Sequence, residues 1–271
     1  MEKPKSRSSG WVNMSQSLKP LEDRNFDKMA KKFADRIYGT FKGKLRLELL
    51  QEDLAALHDG APMDVWDAGC GFGQMALWFG EKGHRITGCD ISEKMLAGAR
   101  ERFAEAEIDA TLIHAPAQEV AVTLPPQDLV LFHAVIEWLA NPLETLKIVA
   151  DRVSPGGHLS LLFFNHHGLI YRNALRGSWR LQYLLDEAWY GKGKNLTPPH
   201  PQKPEVLIDW LGVHGFEIVA HTGIRVFHDY MEEEARSSSD MEELRLLERK
   251  YCREETFRTM GRYVHLLAKK K

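Results

Sequence analysis

The most constraining feature of the sequence is residues 64–73, which read DVWDAGCGFG, followed seventeen residues after Gly73 by Asp90. The pattern predicts a strand, a glycine turn into a helix, and a second strand that ends in a carboxylate. Glycine lets the backbone approach a ligand where a Cβ would clash. A carboxylate at this point can accept hydrogen bonds from both hydroxyls of a ribose. The unit therefore predicts a site for a nucleoside-containing ligand.

The spacing of the glycines separates two classes of such sites. A dinucleotide fold uses Gly-x-Gly-x-x-Gly, whose last glycine allows close packing of the helix on the strand, but this chain has Gln74 there. Glycines at 69, 71 and 73 after Asp67 instead resemble motif I of the S-adenosylmethionine-dependent methyltransferases. The resemblance implies S-adenosylmethionine as cofactor and disfavours an NAD-linked oxidoreductase. A glycine turn inside an unrelated α/β unit is the alternative.

Apolar runs and turn residues predict a regular alternation of strands and helices. Residues 128–133 are almost wholly apolar, as in a parallel strand that is buried on both faces. Strands are expected at 64–68, 84–90, 110–114, 128–133, 158–164, 216–226 and 260–268, with helices at 73–82, 92–106, 142–153, 205–214 and 230–251. Together they predict an α/β fold with a doubly wound, mostly parallel, Rossmann-like seven-stranded sheet.

The domain organisation follows from what interrupts this alternation. Helical spacing over 27–57 predicts two N-terminal helices, broken at Gly39 and Gly43. Residues 166–204 are rich in Arg, aromatic residues and Pro, and predict an insertion that forms a lid over the active site. We expect one domain over 21–271, preceded by a flexible extension at 1–20 that lacks the apolar centre of a secretory signal.

The overall composition excludes several classes of protein. The 271 residues are 44% hydrophobic and 27% charged, with a net charge of −2, which is ordinary for a globular protein and gives no general polycation for nucleic acid. No apolar run approaches the roughly 20 residues that a membrane helix needs. The three cysteines have neither disulfide nor metal spacing, so we expect a cytoplasmic protein without a metal site or membrane partner.

Positive charge is nevertheless concentrated locally. Residues 1–20 hold four Lys or Arg against one acid, 166–204 six against two, and 250–271 seven against two, whereas 231–249 hold three against seven. If the three basic segments meet on one face, they form a footprint for phosphate. The alternative is that each segment is a solvated surface.

The ends of the predicted strands supply the candidate site. In an open α/β sheet, ligands bind beyond the carboxyl ends of the strands where strand order reverses. Asp90 would hold the ribose, Ala117–Gln118 would contact the adenine edge, and His133 would lie near the methionine part. The pair Glu137–Trp138 fits a wall of the site and simple packing equally well.

Further stretches resemble the bacterial tRNA 5-carboxymethoxyuridine methyltransferases over about residues 20–270. Because they extend into the C-terminal half, this resemblance is more specific than motif I. It rests on residues 23–27 (DRNFD), 38–40 (YGT), 42–46 (KGKLR), 131–138 (LFHAVIEW), 223–230 (GIRVFHDY) and 251–253 (YCR).

The resemblance implies methyl transfer to the carboxylate of 5-carboxymethoxyuridine at the wobble position of tRNA, with the anticodon stem-loop as partner. It implies that Arg46 pairs with the methionyl carboxylate of the cofactor. Cys70 stands where a glycine is common, so its contact is expected through the backbone. The full set of implied cofactor contacts is Arg46, Gly69, Cys70, Asp90, Ala117, Gln118 and His133.

The sequence shows no nucleophile or triad, which agrees with the implied substrate. A carboxylate with a pKa of about 4 is already ionised at pH 7 and needs no general base. We expect a positioning mechanism in which a cation orients this carboxylate. Arg225 is the candidate, with His228 and Tyr230 close by, because Arg pairs bidentately with carboxylates and stays charged. The alternative is that Arg225 is an exposed strand residue.

The insertion leaves two further questions open. Trp179, Tyr183, Trp189 and Tyr190 either stack on unpaired anticodon bases or form an apolar lid. A small-molecule methyltransferase, whose lid would cover its substrate, and a non-catalytic regulatory protein that binds S-adenosylmethionine are the alternative functions.

Overall fold

A computed structural model describes residues 22–27, 39–177, 180–185 and 198–271. The predicted extension at 1–20, the residues Trp179, Trp189 and Tyr190, and the side chain of Tyr183 lie outside this description. The strands are β1 (Asp64–Ala68), β2 (Arg85–Asp90), β3 (Ala110–His114), β4 (Gln127–His133), β5 (Val153–Phe164), β6 (Phe216–Ile224) and β7 (Tyr263–Lys270). The helices are α1 (Phe41–His58), α2 (Gln74–Gly80), α3 (Glu93–Glu105), α4 (Ala117–Thr123), α5 (Pro142–Ala150), α6 (His166–Leu175), α7 (Arg180–Leu185), α8 (Pro204–Val213), α9 (Glu233–Ser238), α10 (Met241–Tyr251) and α11 (Glu255–Arg258).

The strands form one sheet in the order β3-β2-β1-β4-β5-β7-β6. β7 pairs antiparallel with both β5 and β6, and the remaining pairs are parallel. Strand order reverses between β1 and β4, which are neighbours in the sheet. The predicted doubly wound, mostly parallel seven-stranded fold is confirmed.

β4 shows how the two faces of the sheet are covered. Leu129 and Leu131 pack with α1 and α2 on one face, and Val130 and Phe132 pack with α4, α5 and α8 on the other. All four side chains are fully buried. Successive side chains point to opposite faces of a strand, so a wholly apolar strand requires helices on both sides.

Two differences from the predicted elements have a clear structural cause. The helix expected over 230–251 is two helices, because the Asp240 side chain caps α10 by accepting hydrogen bonds from the backbone N–H groups of Glu242 (2.7 Å) and Glu243 (3.1 Å). β5 begins at Val153, because the predicted turn at 154–157 bulges out of the β4–β5 pairing instead of preceding the strand.

The first described helix also starts earlier than expected. Thr40 caps α1, and its Oγ1 accepts a hydrogen bond from the Gly43 N–H at 3.3 Å. Gly43 therefore lies in the first turn without ending the helix. The other predicted N-terminal helix falls largely on residues 28–38, outside the description.

The predicted insertion begins with α6 and α7 and returns beside β5. There the Gln202 N–H donates to the Phe164 carbonyl, and the His166 N–H donates to the Gln202 carbonyl, both at 2.9 Å. Residues 186–197 lie outside the description, so the lid stays a prediction, as does the domain boundary near residue 20. Within the described ranges, no helix is both long and apolar enough to cross a membrane.

Candidate active site

One cavity opens at the carboxyl ends of β1, β2 and β4, where the strand order reverses. Ligands bind at this edge in open α/β sheets. All seven residues predicted to contact the cofactor line the cavity: Arg46, Gly69, Cys70, Asp90, Ala117, Gln118 and His133. The structure thus brings together positions that are spread over more than a quarter of the sequence.

Glycine makes room at the loop between β1 and α2. Gly69 has a φ of 87°, and a Cβ at this position would lie 2.4 Å from Val135 Cγ2. The backbone N–H groups of Gly69 and Cys70 both donate to the Cys89 carbonyl, at 2.8 and 2.9 Å. The loop is therefore held against the end of β2 with its glycine surface towards the cavity.

The backbone of Cys70 already makes two hydrogen bonds within the protein. Its N–H is taken by Cys89, and its carbonyl already accepts a hydrogen bond from the Gly73 N–H at 2.8 Å. Burial, followed by the nearby carboxylates of Asp67 and Asp90, raises the pKa of the Cys70 thiol well above its usual range. What Cys70 offers a ligand is the second lone pair of its carbonyl and the surface of a neutral thiol.

Asp90 supports the loop and keeps acceptor capacity for a ligand. Its Oδ2 accepts a hydrogen bond from the Gly71 N–H and its Oδ1 from the Ser92 N–H, both at 2.8 Å. Burial raises the pKa of Asp90 although these two hydrogen bonds oppose the rise. A carboxylate has about four lone-pair sites, so each oxygen can accept a second hydrogen bond from the cavity. Two adjacent hydroxyl groups fit this arrangement.

Gln118 has one half of its amide fixed and the other half unpaired. Its Nε2 donates to Asp23 Oδ2 at 2.8 Å, and its Oε1 is buried with no hydrogen-bond partner among the described residues. A buried unpaired acceptor costs free energy unless a donor meets it. An exocyclic amino group such as that of adenine would supply this donor.

The cover segment, residues 22–27, is a part of the site to which the sequence analysis gave no role. It closes one side of the cavity, and Asp23, Arg24 and Phe26 line it. In the sequence, the role of this segment was indicated by the resemblance of residues 23–27 (DRNFD) to the methyltransferase family. Local patterns could not indicate it, because the residues that the segment contacts across the cavity are distant in sequence. Besides the Gln118 bond, its contacts include Asp23 Oδ1 with the Ala140 N–H (2.8 Å), Asn25 Nδ2 with the Ile91 carbonyl (2.7 Å), and the Phe26 ring edge-on against Trp138 (5.0 Å between centroids).

The end of the cavity near α1 carries a free cation. Arg46 lines it and makes no ion pair or hydrogen bond with a described residue, although its charge acts on the buried carboxyl of Glu137. His133 lies at the end of β4, with its Nε2 2.7 Å from Ser160 Oγ. Burial, together with His265 and Arg46, lowers the pKa of His133 well below its usual value. A neutral imidazole beside a free guanidinium suits a zwitterionic amino-acid group.

Glu137 and Trp138, for which the sequence left open whether they line the site or only pack in the core, take different roles. Trp138 lines the cavity, whereas Glu137 does not. Glu137 is fully buried, and neither carboxylate oxygen has a hydrogen-bond partner among the described residues. Burial raises its pKa to about 8, so the carboxyl is mostly protonated at neutral pH. In the same described part of the chain, no three His, Cys, Asp or Glu side chains gather as a metal site.

Arg225 belongs to a cationic cluster that surrounds Asp229; we define this cluster as Lys42, Arg172, Arg225 and Arg262. Its contacts to Asp229 are from Arg225 Nε to Oδ2 (2.5 Å), from Lys42 Nζ to Oδ1 (3.2 Å) and from Arg172 Nε to the backbone carbonyl (3.1 Å). The Arg225 side chain is 11% exposed and follows the end of β6, so the alternative of an exposed strand residue is wrong. Arg225 does not line the cavity, but it lies 5.2 Å from the ring centroid of Tyr263, which does.

Arg262 gives the cluster a cation that lacks a close acid. Its guanidinium lies 4.3 Å from the Phe164 ring centroid, and its Nη1 is buried without a hydrogen-bond partner in the described part of the chain. Burial, followed by the charges of Arg262 and Arg176, lowers the pKa of Arg172 to about 10. Like charges this close disfavour one another, so a further anion would stabilise the cluster. Arg172 and Arg262 were missed by the sequence analysis because no motif joins them to Arg225.

The other two predicted substrate contacts have local partners. The Tyr230 hydroxyl donates to the Met260 carbonyl at 2.5 Å. The His228 ring stacks on Phe41 with 5.1 Å between centroids. Neither residue lines the cavity, and both pack beside the cationic cluster on the side away from the cavity.

The basic C-terminal segment does not gather at this edge as one unit. β7 runs antiparallel, so Tyr263 pairs with Phe164 at the cavity edge while Lys269 pairs with His158 near the opposite edge. Lys270 accordingly donates to the carbonyls of Ala150 (3.2 Å) and Val153 (2.8 Å). Lys269 and Lys270 therefore lie away from the cavity. Residues 1–20 and part of the segment 166–204 lie outside the described residues, so a shared phosphate footprint stays a prediction.

Comparisons with known proteins agree with this geometry. A family model described as a methyltransferase domain matches residues 66–159. The chain is 42% identical over 256 residues to the tRNA 5-carboxymethoxyuridine methyltransferase of Escherichia coli (strain K12), which covers 92% of this chain and 97% of that protein. The chain belongs to the tRNA 5-carboxymethoxyuridine methyltransferase family. This membership confirms the predicted class, a methyltransferase that depends on S-adenosylmethionine.

More distant proteins share the fold. The ubiquinone biosynthesis O-methyltransferase of Vibrio cholerae is 28% identical over 69% of this chain and 77% of its own length. The crystal structure of magnesium protoporphyrin IX methyltransferase from Synechocystis PCC 6803 with bound SAH superposes with a TM-score of 0.59 over 91% of this chain and 96% of that chain, at 18% identity. At this identity the match supports the fold alone.

Proposed function

We propose that this chain transfers a methyl group from S-adenosylmethionine to the carboxylate of 5-carboxymethoxyuridine at the wobble position of tRNA, giving the methyl ester. The observation that carries the proposal is the 42% identity to the Escherichia coli enzyme over 92% of the chain. This match extends beyond the nucleoside-binding half and includes the region of the cationic cluster, where the substrate would bind.

The residues of the cavity fit each part of the cofactor. Asp90 would accept hydrogen bonds from the ribose hydroxyls, supported by its remaining acceptor capacity. The unpaired Oε1 of Gln118, beside Ala117, would accept one from the adenine amino group. Arg46 would pair with the methionyl carboxylate. The loop at Gly69–Cys70 lines the cavity and would contact the part of the cofactor between these ends. When bound, the cofactor supplies an electrophilic methyl group on a cationic sulfur.

We assign the cationic cluster to the carboxylate of the substrate. Arg225 keeps its predicted role, since its guanidinium lies against Tyr263 in the cavity wall. Arg262 adds a buried donor that no described residue satisfies. Guanidinium groups hold a carboxylate in a bidentate geometry and do not protonate it, so the nucleophile would be oriented without being neutralised.

The chemistry asks little of the enzyme beyond positioning. The substrate carboxylate is ionised at neutral pH, so no side chain needs to remove a proton. Alignment and removal of water can account for about 7–11 kcal/mol of a reaction barrier. Tyr263 and Trp138, as walls of the cavity, would exclude water from the reacting atoms.

The tRNA backbone would be held by exposed cations near the same edge. Arg176 is exposed at the end of α6, next to Arg172 of the cluster, and can contact a phosphate. The aromatic residues proposed to stack on anticodon bases lie outside the described side chains. Affinity for tRNA is expected to fall steeply with salt because phosphate contacts release counterions.

Mass spectrometry of nucleosides tests the proposal. The enzyme and S-adenosylmethionine are incubated with tRNA that carries 5-carboxymethoxyuridine, and with the same tRNA carrying 5-methoxyuridine, which lacks the carboxylate. A gain of one methyl group is expected on the first tRNA alone. Methylation of the second tRNA, of another nucleoside, or of a small phenol in place of tRNA would contradict the proposal.

A further inference from the structure

A continuous chain of hydrogen bonds runs through the sheet to the wall of the cavity. It starts at Asp53 in α1 and passes through His265 in β7 and Ser160 in β5 to His133 at the end of β4. The distances are 2.7 Å from Asp53 Oδ2 to His265 Nδ1, 2.8 Å from His265 Nε2 to Ser160 Oγ, and 2.7 Å from Ser160 Oγ to His133 Nε2. His265 and Ser160 are fully buried and the Asp53 side chain is 2% exposed.

The far end of this chain fixes the direction of its first bond. Arg253 donates to Asp53 Oδ1 from Nε (2.9 Å) and from Nη2 (2.7 Å). Burial works to raise the pKa of Asp53, but the hydrogen bond from His265 and the charge of Arg253 outweigh it and lower the pKa. Asp53 is therefore an ionised carboxylate, which can only accept hydrogen bonds. His265 must donate to it from Nδ1.

The donors and acceptors of the next two hydrogen bonds follow from the position of the proton on a neutral His265. Asp53 is the acceptor for both Arg253 and His265, so the Nδ1 proton of His265 points to Asp53. A neutral His265 with its proton on Nδ1 has a lone pair on Nε2, so Ser160 donates its one hydroxyl proton there. Ser160 Oγ can then only accept from His133, which must carry its proton on Nε2. The Nδ1 atom of His133 is left as an acceptor.

This acceptor has no partner in the protein. No described residue lies within hydrogen-bond distance of His133 Nδ1, and the atom is not among the fully enclosed unpaired atoms, unlike those of Gln118 and Glu137. His133 lines the cavity, as does Arg46, whose charge acts on the His133 ring. The Nδ1 lone pair is therefore available to a hydrogen-bond donor bound beside Arg46.

We propose that Asp53, a neutral His265 and Ser160 are positioning residues that hold His133 in its Nε2–H tautomer, so that Nδ1 accepts a hydrogen bond from the α-ammonium group of the cofactor. This proposal rests on the proposed placement of the methionyl carboxylate at Arg46. The opposite tautomer would direct an N–H group at the ammonium, and a charged ring would add a second cation. Because the tautomer is set by the bond that the other nitrogen makes, each member of the chain affects the cofactor without touching it.

The first test is nuclear magnetic resonance of the wild-type protein with nitrogen-15-labelled histidine. Long-range proton–nitrogen spectra distinguish the protonated from the unprotonated ring nitrogen. We expect His133 to carry its proton on Nε2 both in the free protein and with SAH. A proton on His133 Nδ1 would overturn the proposal, and this measurement needs no variant to fold.

The second test measures binding to Ser160→Ala by calorimetry. SAH is compared with S-(5′-deoxyadenosyl)-4-thiobutanoate, which keeps the carboxylate but lacks the α-amino group. Loss of one well-oriented hydrogen bond should weaken SAH binding by about 5- to 20-fold and leave binding of the analogue within about 2-fold. Equal losses for both ligands, or no loss for either, would overturn the proposal. A wild-type protein that binds neither ligand would instead contradict the proposed function, while the imidazole spectra still decide the tautomer.

Discussion

The substitution Asp90→Asn is the sharpest test of the cofactor site. The Asp90 carboxylate accepts one backbone N–H on each oxygen, from Gly71 and from Ser92, at 2.8 Å in both cases. An asparagine has one oxygen and one NH2 group. One backbone N–H would therefore face another donor, and one of the two acceptors for the ribose hydroxyls would be lost.

The size of the effect follows from the hydrogen bonds removed. A hydrogen bond to a charged group contributes about 1.5–3 kcal/mol, which corresponds to about 10- to 150-fold in the dissociation constant of SAH. If the Gly71 N–H loses its acceptor, the glycine loop would also shift, and this shift would weaken SAH binding further. Asp90→Ala removes both ribose acceptors, so its dissociation constant should exceed that of Asp90→Asn.

Calorimetry with SAH measures both variants, and Asp64→Asn is the matched control. Asp64 lies at the other end of β1, where it pairs with Arg85 at 2.6 Å, so its substitution should leave the dissociation constant unchanged. The ribose assignment is refuted if Asp90→Asn binds SAH as tightly as the control does. It is equally refuted if the two Asp90 variants weaken binding only in proportion to a measured loss of folded protein.

Three further predictions follow from contacts described above. Gly69→Ala should lower the free energy of unfolding by about 1–3 kcal/mol in urea titrations, because the new Cβ would lie 2.4 Å from Val135 Cγ2 at a φ of 87°; an unchanged midpoint would contradict this. Arg225→Ala should reduce kcat for the modified tRNA by about 100-fold or more while SAH affinity stays the same, with Arg225→Lys as the control that keeps the charge beside Asp229; unchanged turnover would remove Arg225 from the mechanism. Burial raises the pKa of Glu137 from 4.5 to about 8 on folding, so the stability of the wild-type protein falls as pH rises between these values. Glu137→Gln has no group that ionises here, so its stability relative to wild type should increase by on the order of 3 kcal/mol between pH 5 and pH 8. A difference that stays constant with pH would show that Glu137 is not buried in its neutral form.

The sequence predicts well which residues gather at the cavity, because the fold places them. Strand ends converge at one edge of a parallel sheet, so Asp90, Gln118 and His133 are brought together by topology alone. The detail within this frame depends on competing partners. Asp23 takes the amide N–H of Gln118, and Cys89 takes the backbone N–H of Cys70, and neither pairing has a sequence signature.

On the substrate side the sequence predicted Arg225 but not Arg172 or Arg262, and it did not predict the hydrogen-bond chain, for a different reason. Arg172, Arg225 and Arg262 meet because α6, the end of β6 and the start of β7 lie side by side, which is a matter of register. The members of the chain from Asp53 to His133 come from a helix and three strands. Their spacing along the sequence carries no periodicity, so only the completed sheet shows that they touch.

The position of β7 inside the sheet affects how the protein folds during its synthesis. This strand is the last in sequence, yet it lies between β5 and β6 and supplies both Tyr263 of the cavity wall and His265 of the hydrogen-bond chain. Pairings such as Leu161 with Leu266 close long loops, which slows folding. During translation, the nascent chain would thus hold an open sheet with two unpaired strand edges until residues 263–270 leave the ribosome. Competence to bind the cofactor should appear abruptly at that point, as a single late event.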